Sequence, residues 1–238
     1  MRPSPTRRLS LCALAVAMLS VGAAAPPDAG APERAAPGKS PVAVGHGGAV
    51  SSVDEDASAA GIEVLRRGGN AVDAAVATAA ALGVTEPYSA GIGGGGYAVL
   101  YDARTGTVQT VDGRETAPRT AGPDLFLEDG KPIPFAEAVT SGLGVGTPGT
   151  PATWRTLLGR WGSKPLGELL KPAERLARDG FTVDETFRAQ TADNQARFAD
   201  FPASAKLFLP GGKLPETGST FRNPDLARTY AELGRKGV

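Results

Sequence analysis

An arginine delivered to the end of a β-strand, behind a run of glycines, is the arrangement in this chain best suited to chemistry. Four consecutive glycines, Gly93 to Gly96, precede an apolar run from Tyr97 to Leu100. Arg104-Thr105-Gly106 makes a tight turn, Thr107 to Val111 is a second β-type run, and Asp112-Gly113-Arg114-Glu115 follows it. Glycines let a backbone take positive φ and let other groups approach closely. The order reads as loop, strand, hairpin, strand, with Arg114 presented where the second strand ends. A guanidinium is a rigid planar fork whose N–H donors match a carboxylate, so Arg114 is the candidate carboxylate-binding residue. On spacing alone the competing reading is an ordinary ion pair with Asp102, Asp112 or Glu115, and Glu115 could either orient the guanidinium or face solvent.

Other site chemistries are poorly supplied. Cys12 is the only cysteine and His46 the only histidine. Cys12 lies in a segment expected to be removed, which leaves no thiol nucleophile, disulfide or cysteine metal site. His46 sits in Gly45-His46-Gly47-Gly48, where a solvated turn residue is a better reading than a triad base, and a lone histidine makes no zinc site. The glycine run precedes a strand rather than opening a helix and has no Lys-Ser/Thr after it, so it does not cradle phosphate. Asp54-Glu55-Asp56 lacks the glycine turn and distal glutamate of a calcium loop. No metal and no cofactor is expected. Lys plus Arg equals Asp plus Glu, 25 against 25, and aromatics are 6% of the chain, so neither a basic nucleic-acid surface nor a base-stacking platform is present.

The elements that position Arg114 begin near Val42. Val42-Ala43-Val44 reads as a short strand. Ser51-Ser52 opens a helix with acids at its start and Arg66-Arg67 at its end, in the order the helix dipole favours, and Gly68-Gly69 stops it. Asn70 is a good N-cap and Asp73 completes a capping-box pattern. The helix from Ala71 to Leu82 carries seven alanines and no charge after Asp73, so it should be nearly fully buried. Glu86-Pro87 turns the chain out of it. Helix, helix, hairpin suggests helices covering a mainly antiparallel sheet. Ser141 to Gly149 is a second glycine-rich connection. Thr150-Pro151 starts a helix through Trp154 to Trp161. Pro165 and Pro172 divide or kink the next helical stretch, which Gly180 closes. A polar helix is expected over Thr182 to Ala199, and a last one from Asn223-Pro224-Asp225 to about Gly234. This second half should lie outside the sheet.

Three of these stretches, in order, resemble the gamma-glutamyltransferases (gamma-glutamyltranspeptidases, glutathione hydrolases). They are Gly69-Asn70-Ala71-Val72-Asp73-Ala74-Ala75; Glu86-Pro87 leading to Gly91-Ile92-Gly93-Gly94-Gly95-Gly96; and Asp112-Gly113-Arg114-Glu115-Thr116-Ala117-Pro118. The resemblance extends from about Val42 to Val238. It implies an α+β fold, the four-layer αββα sandwich of the N-terminal nucleophile hydrolases, present here as its N-terminal portion. It implies that Arg114 binds the α-carboxylate of a γ-glutamyl substrate such as glutathione. The nucleophile of the family is a threonine freed by self-cleavage, with its own α-amino group as base. That threonine is expected downstream of Val238, so no catalytic residue is assigned within this chain; Thr116 and Thr147 would not be N-terminal. The implied partner is the small subunit produced by that cleavage. The 238 residues alone are expected to be inactive. Two rivals remain open: a glutaryl or cephalosporin acylase of the same architecture, and an exported, non-enzymatic module binding an acidic ligand through Arg114.

The N-terminus has the form of a secretory signal over 1–25: Arg7-Arg8, an apolar stretch from Leu9 to Val21, and the small residues Ala23-Ala24-Ala25. The apolar stretch is too short for a membrane span. Thr6-Arg7-Arg8-Leu9-Ser10-Leu11 is also similar to a twin-arginine signal, so export by either route, to the periplasm or beyond, is expected. Residues 26–41 are rich in proline and alanine and read as a disordered leader. Residues 42–238 then form the large-subunit portion.

Overall fold

A computed structural model describes residues 42–238; the expected signal over 1–25 and leader over 26–41 lie outside the described residues. The first helix, α1 (Glu55–Arg66), starts at Asp54, whose carboxylate accepts the Ala57 N–H at 2.9 Å. The start expected at Ser51-Ser52 moves to Asp54 because Ser52 is engaged otherwise: its hydroxyl donates to the Asp54 carbonyl at 2.7 Å. Residues 42–44, expected as a strand, are irregular, and Val44 is fully open to solvent. A strand needs a partner for its backbone groups, and no described strand pairs with this segment.

Helix α2 (Ala71–Thr85) is the centre of the molecule. Asn70 and Asp73 form the expected capping box. The helix continues beyond Leu82 to Thr85 and stops at Glu86, whose position before Pro87 disfavours helical backbone. Ala77, Ala80 and Ala81 are fully buried and Val76 nearly so, in agreement with the alanine-rich, uncharged sequence. Small side chains admit either a sheet or a helix alongside, and here helices supply the cover. Helices α1, α4 (Thr150–Trp161), α5 (Leu166–Leu169), α6 (Lys171–Asp179) and α10 (Pro224–Lys236) surround α2, so the core is helix on helix. Alanine on every side permits this, because each neighbour can approach the α2 backbone closely. Tyr230 of α10 shows the depth: it is fully buried and donates its hydroxyl to the Ala80 carbonyl at 2.9 Å.

The strands form three separate antiparallel pairs. The expected hairpin is present as β1 (Gly96–Asp102) and β2 (Thr107–Gly113), with Gly96 opposite Gly113 and Asp102 opposite Thr107. A small pair, β3 (Leu127–Glu128) and β4 (Lys131–Pro132), lies in the excursion after it and leads into the single-turn helix α3 (Phe135–Ala138). The third pair joins β5 (Phe181–Thr182) to β6 (Thr220–Phe221).

That last pair explains the main correction in the second half. The single helix expected over Thr182 to Ala199 is a strand followed by two helices, α7 (Glu185–Asp193) and α8 (Gln195–Ala199). Val183 is buried and hydrogen-bonded through its backbone to Ser219 and Gly218, which extends the β5–β6 ladder and excludes helix there. Asp184 then caps α7, accepting the Phe187 N–H at 2.8 Å. Helix α9 (Pro202–Phe208) completes a cluster in which Phe187, Phe198, Phe208 and Phe221 gather, with Tyr88 packed edge-on to Phe187 at 5.4 Å between centroids. Burial pushes the Tyr88 hydroxyl up to about 12, with a hydrogen bond to Thr191 opposing and the Glu86 carboxylate adding to the rise.

Helix α4 links the core to the hairpin. Its buried Trp154 and Leu157 face inward. At its C-terminal end Asn70 Nδ2 donates to the Trp161 carbonyl at 2.7 Å, and Asp73 receives the Ser163 N–H at 2.9 Å and the Lys164 N–H at 3.2 Å. At its N-terminal end the Gly149 and Thr150 N–H groups donate to the Gly94 carbonyl at 2.9 and 3.0 Å. The pattern Gly149-Thr150-Pro151 starts the helix as expected, with Gly149 rather than Thr150 at the cap.

Candidate carboxylate-binding site

Arg114 stands where expected, one residue past the end of β2. The Asp112 carboxylate accepts the Arg114 N–H at 3.0 Å, an Asx-type turn that ends the strand and fixes the arginine backbone. The guanidinium meets Glu115 through Nη1 and Oε2 at 3.2 Å, with 55% of the arginine side chain and 27% of the glutamate exposed. Of the pairing partners open from the sequence, Glu115 is the one that contacts the head group. One contact at Nη1 leaves the Nε–Nη2 edge, the edge that grips a carboxylate with two parallel hydrogen bonds.

Glu115 is held by backbone packed tightly around it. A Cβ added at Gly95 would come within 2.3 Å of the Gly113 carbonyl oxygen and 2.9 Å of the Glu115 nitrogen. A Cβ at Gly149 would come within 2.0 Å of that same Gly113 oxygen. Close approach, rather than positive φ, is therefore what these glycines provide; none of Gly93 to Gly96 has positive φ. The two glycine-rich stretches, Gly91 to Gly96 and Ser141 to Gly149, meet on either side of the Gly113–Glu115 turn. Thr116 and Thr147 pair in an antiparallel bridge, with the Thr147 N–H on the Thr116 carbonyl at 2.9 Å. Thr153 of α4 packs against Gly113, its hydroxyl donating to the Gly149 carbonyl at 2.9 Å.

The sequence singled out Arg114, Glu115 and the first glycine run. It did not reveal that Gly149 and Thr153 form the floor under the turn. Their only local mark is a second cluster of glycines, and nothing in a linear pattern states that two such clusters touch. His46 is exposed and remote in sequence from this corner. Glu86 is buried and receives Gln190 Nε2 at 3.2 Å, a contact within the helical core. Among the described residues no group of three or more His, Cys, Asp or Glu side chains is gathered as a metal site, and no helix is long and apolar enough to cross a membrane.

An α+β chain with an arginine corner built on closely packed glycine backbone can now be compared with known proteins. A family model described as gamma-glutamyltranspeptidase matches residues 57–238, and the chain belongs to that family. The glutathione hydrolase proenzyme of Bacillus subtilis (strain 168) is 42% identical over 198 residues, which are 83% of this chain and 34% of that protein. The Acylase ACY 1 proenzyme of Pseudomonas sp. (strain V22) is 37% identical over 201 residues, covering 82% of this chain and 36% of the acylase. The crystal structure of Helicobacter pylori gamma-glutamyltranspeptidase superposes with a TM-score of 0.78 at 35% identity, over 83% of this chain and 56% of that one. The chain thus spans about a third of the length of the curated relatives it matches, and the match falls on their N-terminal part.

Proposed function

We propose that this chain is the N-terminal part of a glutathione hydrolase precursor and that it supplies, through Arg114, the grip on the α-carboxylate of a γ-glutamyl group. The observation that carries the reading is the Arg114 corner: a half-exposed guanidinium, aligned by Glu115 and Asp112, with a two-donor edge that no described residue engages. The name proenzyme on the relatives supports a precursor that matures by cleavage. In this reading a threonine from the remainder of the polypeptide becomes N-terminal and attacks the γ-carbonyl, its α-amino group taking the hydroxyl proton and passing it to the amine that leaves as the γ-amide C–N bond breaks. The acyl-enzyme passes the γ-glutamyl group to water or to an amino acid. Arg114 acts on the substrate rather than on the reacting carbonyl, so it governs affinity and register.

The four-layer αββα sandwich belongs to the same proposal. Strand β1 is apolar on both faces as far as Asp102, yet Tyr97, Val99 and Tyr101 on one of them are 63–73% exposed. A strand of that composition is suited to cover on both sides, which the remainder of the enzyme would supply. Export through residues 1–25 is also part of the proposal; a reporter fused to them and retained in the cytoplasm would remove it.

The test is Arg114→Lys in the full-length enzyme. Lysine keeps the charge and loses the fork, so KM for a γ-glutamyl donor should rise roughly tenfold or more with a smaller change in kcat. Unchanged kinetics would sink the assignment. The similarity to an acylase favours one second reading, a glutaryl-amide substrate. Glutaryl amides keep a terminal carboxylate without the α-amino group, so the ratio of kcat/KM for matched γ-glutamyl and glutaryl amides separates the two.

A further inference from the structure

Helix α4 connects two places that lie far apart in sequence. Its N-terminal end rests on the arginine turn: Gly149 and Thr150 donate to Gly94, and Thr153 lies against Gly113. Its C-terminal end runs into the turn at Ser163, which Asp73 holds. The Asp73 side chain is fully buried. Its Oδ2 accepts the Asn70 N–H at 2.9 Å and the Ser163 hydroxyl at 2.5 Å, and its Oδ1 accepts the Ser163 and Lys164 N–H groups at 2.9 and 3.2 Å. A capping box requires the first of these bonds alone. The other three tie α2 to the residues that follow α4. With 12 residues at 1.5 Å rise, α4 is a rod about 18 Å long. A packed helix moves as a body, so axial slack at one end appears at the other.

We propose that Asp73 is a positioning residue for Arg114 and acts through α4: its carboxylate fixes the Ser163 turn, which sets the axial position of α4 against the Gly113–Arg114 peptide. The inference rests on the carboxylate-binding reading of Arg114 given above. It goes beyond that reading by assigning a part of substrate affinity to a buried group at the opposite end of a helix.

The test uses the full-length enzyme with Ser163→Ala, which deletes one of the four bonds and leaves the capping box, and Asp73→Asn, which disturbs all of them. Asp54→Ala, which removes the oxygen that accepts the Ala57 N–H at the N-cap of α1, is the control for a general loss of helix capping. Hydrogen–deuterium exchange is followed by mass spectrometry on peptides covering 70–75, 109–115, 144–153 and 160–165, beside KM and kcat for a γ-glutamyl donor. The expected result is exchange faster by about tenfold at 144–153 and KM raised about fivefold, with kcat changed less than twofold, in both Asp73 and Ser163 variants and not in the control. Faster exchange confined to 70–75 and 160–165, with KM at the wild-type value, would overturn the proposal. If exchange spreads to 144–153 while neither these variants nor Arg114→Lys moves KM, the coupling through α4 stands and the role of Arg114 falls.

Discussion

Glu115 touches Arg114 at Nη1 at 3.2 Å while its own backbone is wedged beneath Gly95. An ion pair this exposed adds little to stability, so its effect is on the direction of the guanidinium. Glu115→Gln keeps an oxygen that can accept from Nη1, whereas Glu115→Ala removes it. KM for the γ-glutamyl donor should therefore rise more in the alanine variant than in the glutamine variant; equal values would show that Glu115 does not orient Arg114. Asp73 makes a second residue-level prediction, in acid. Burial alone would raise its pKa, but the bonds from Ser163, Asn70 and Lys164 outweigh it and leave the carboxyl below its ordinary 3.8. A group depressed by folding contributes stability that is complete above the unfolded value and is lost as pH falls through the folded one. The stability gap between wild type and Asp73→Asn should hold at neutral pH and narrow below about pH 3.8. Denaturant melts across that range measure it, and a gap independent of pH would contradict the account. The place of Arg114 at the end of β2 and the Asn70–Asp73 box were legible in the sequence because each is a local pattern. The bond from Asp73 to Ser163 spans 90 residues and leaves no local mark.

Elements were legible where neighbouring residues determined them. The hairpin followed from an apolar run, a Thr-Gly turn and a β-type run, and Gly106 takes the positive φ of 68° that such a turn uses. Helix α2 followed from its cap and its alanines. Two expectations failed where distant partners decide the outcome. The strand expected at 42–44 finds no ladder, and the helix expected over Thr182 to Ala199 gives way to the β5–β6 pair because Phe181 and Val183 are drawn into the core. The site itself depends on one long-range meeting of elements, at Gly149. Gly149→Ala would set a methyl 2.0 Å from the Gly113 carbonyl oxygen, against backbone that has no rotamer to change. Overpacking of this kind costs about 1–3 kcal/mol. The variant should lower the melting temperature and raise KM together, whereas Gly159→Ala, on the open side of α4, should do neither. A Gly149→Ala enzyme with wild-type KM would show that the floor under Arg114 can shift without consequence.

At the scale of the molecule, the burial of the alanine-rich α2 was legible in its composition, while its neighbour, sheet or helix, was left open. The sequence shows that a helix is buried but not by what. The described residues assemble a helical core with the Arg114 hairpin on one side, and β1 presents Tyr97, Val99 and Tyr101 outward. On the proposed reading, in which the nucleophile comes from the remainder of the polypeptide, the 238 residues purified alone should release no glutamate from glutathione; detectable release would overturn that reading. The central claim is that the Arg114 fork meets the substrate α-carboxylate. It is tested most directly by measuring kcat/KM in the full-length enzyme for a γ-glutamyl donor and for the same donor with its α-carboxylate converted to a carboxamide, in wild type and in Arg114→Met. A charge-assisted contact of about 1.5–3 kcal/mol corresponds to roughly 10- to 150-fold, so the wild type should prefer the carboxylate by that factor and the variant should have lost the preference. A variant that still discriminates as the wild type does would contradict the account.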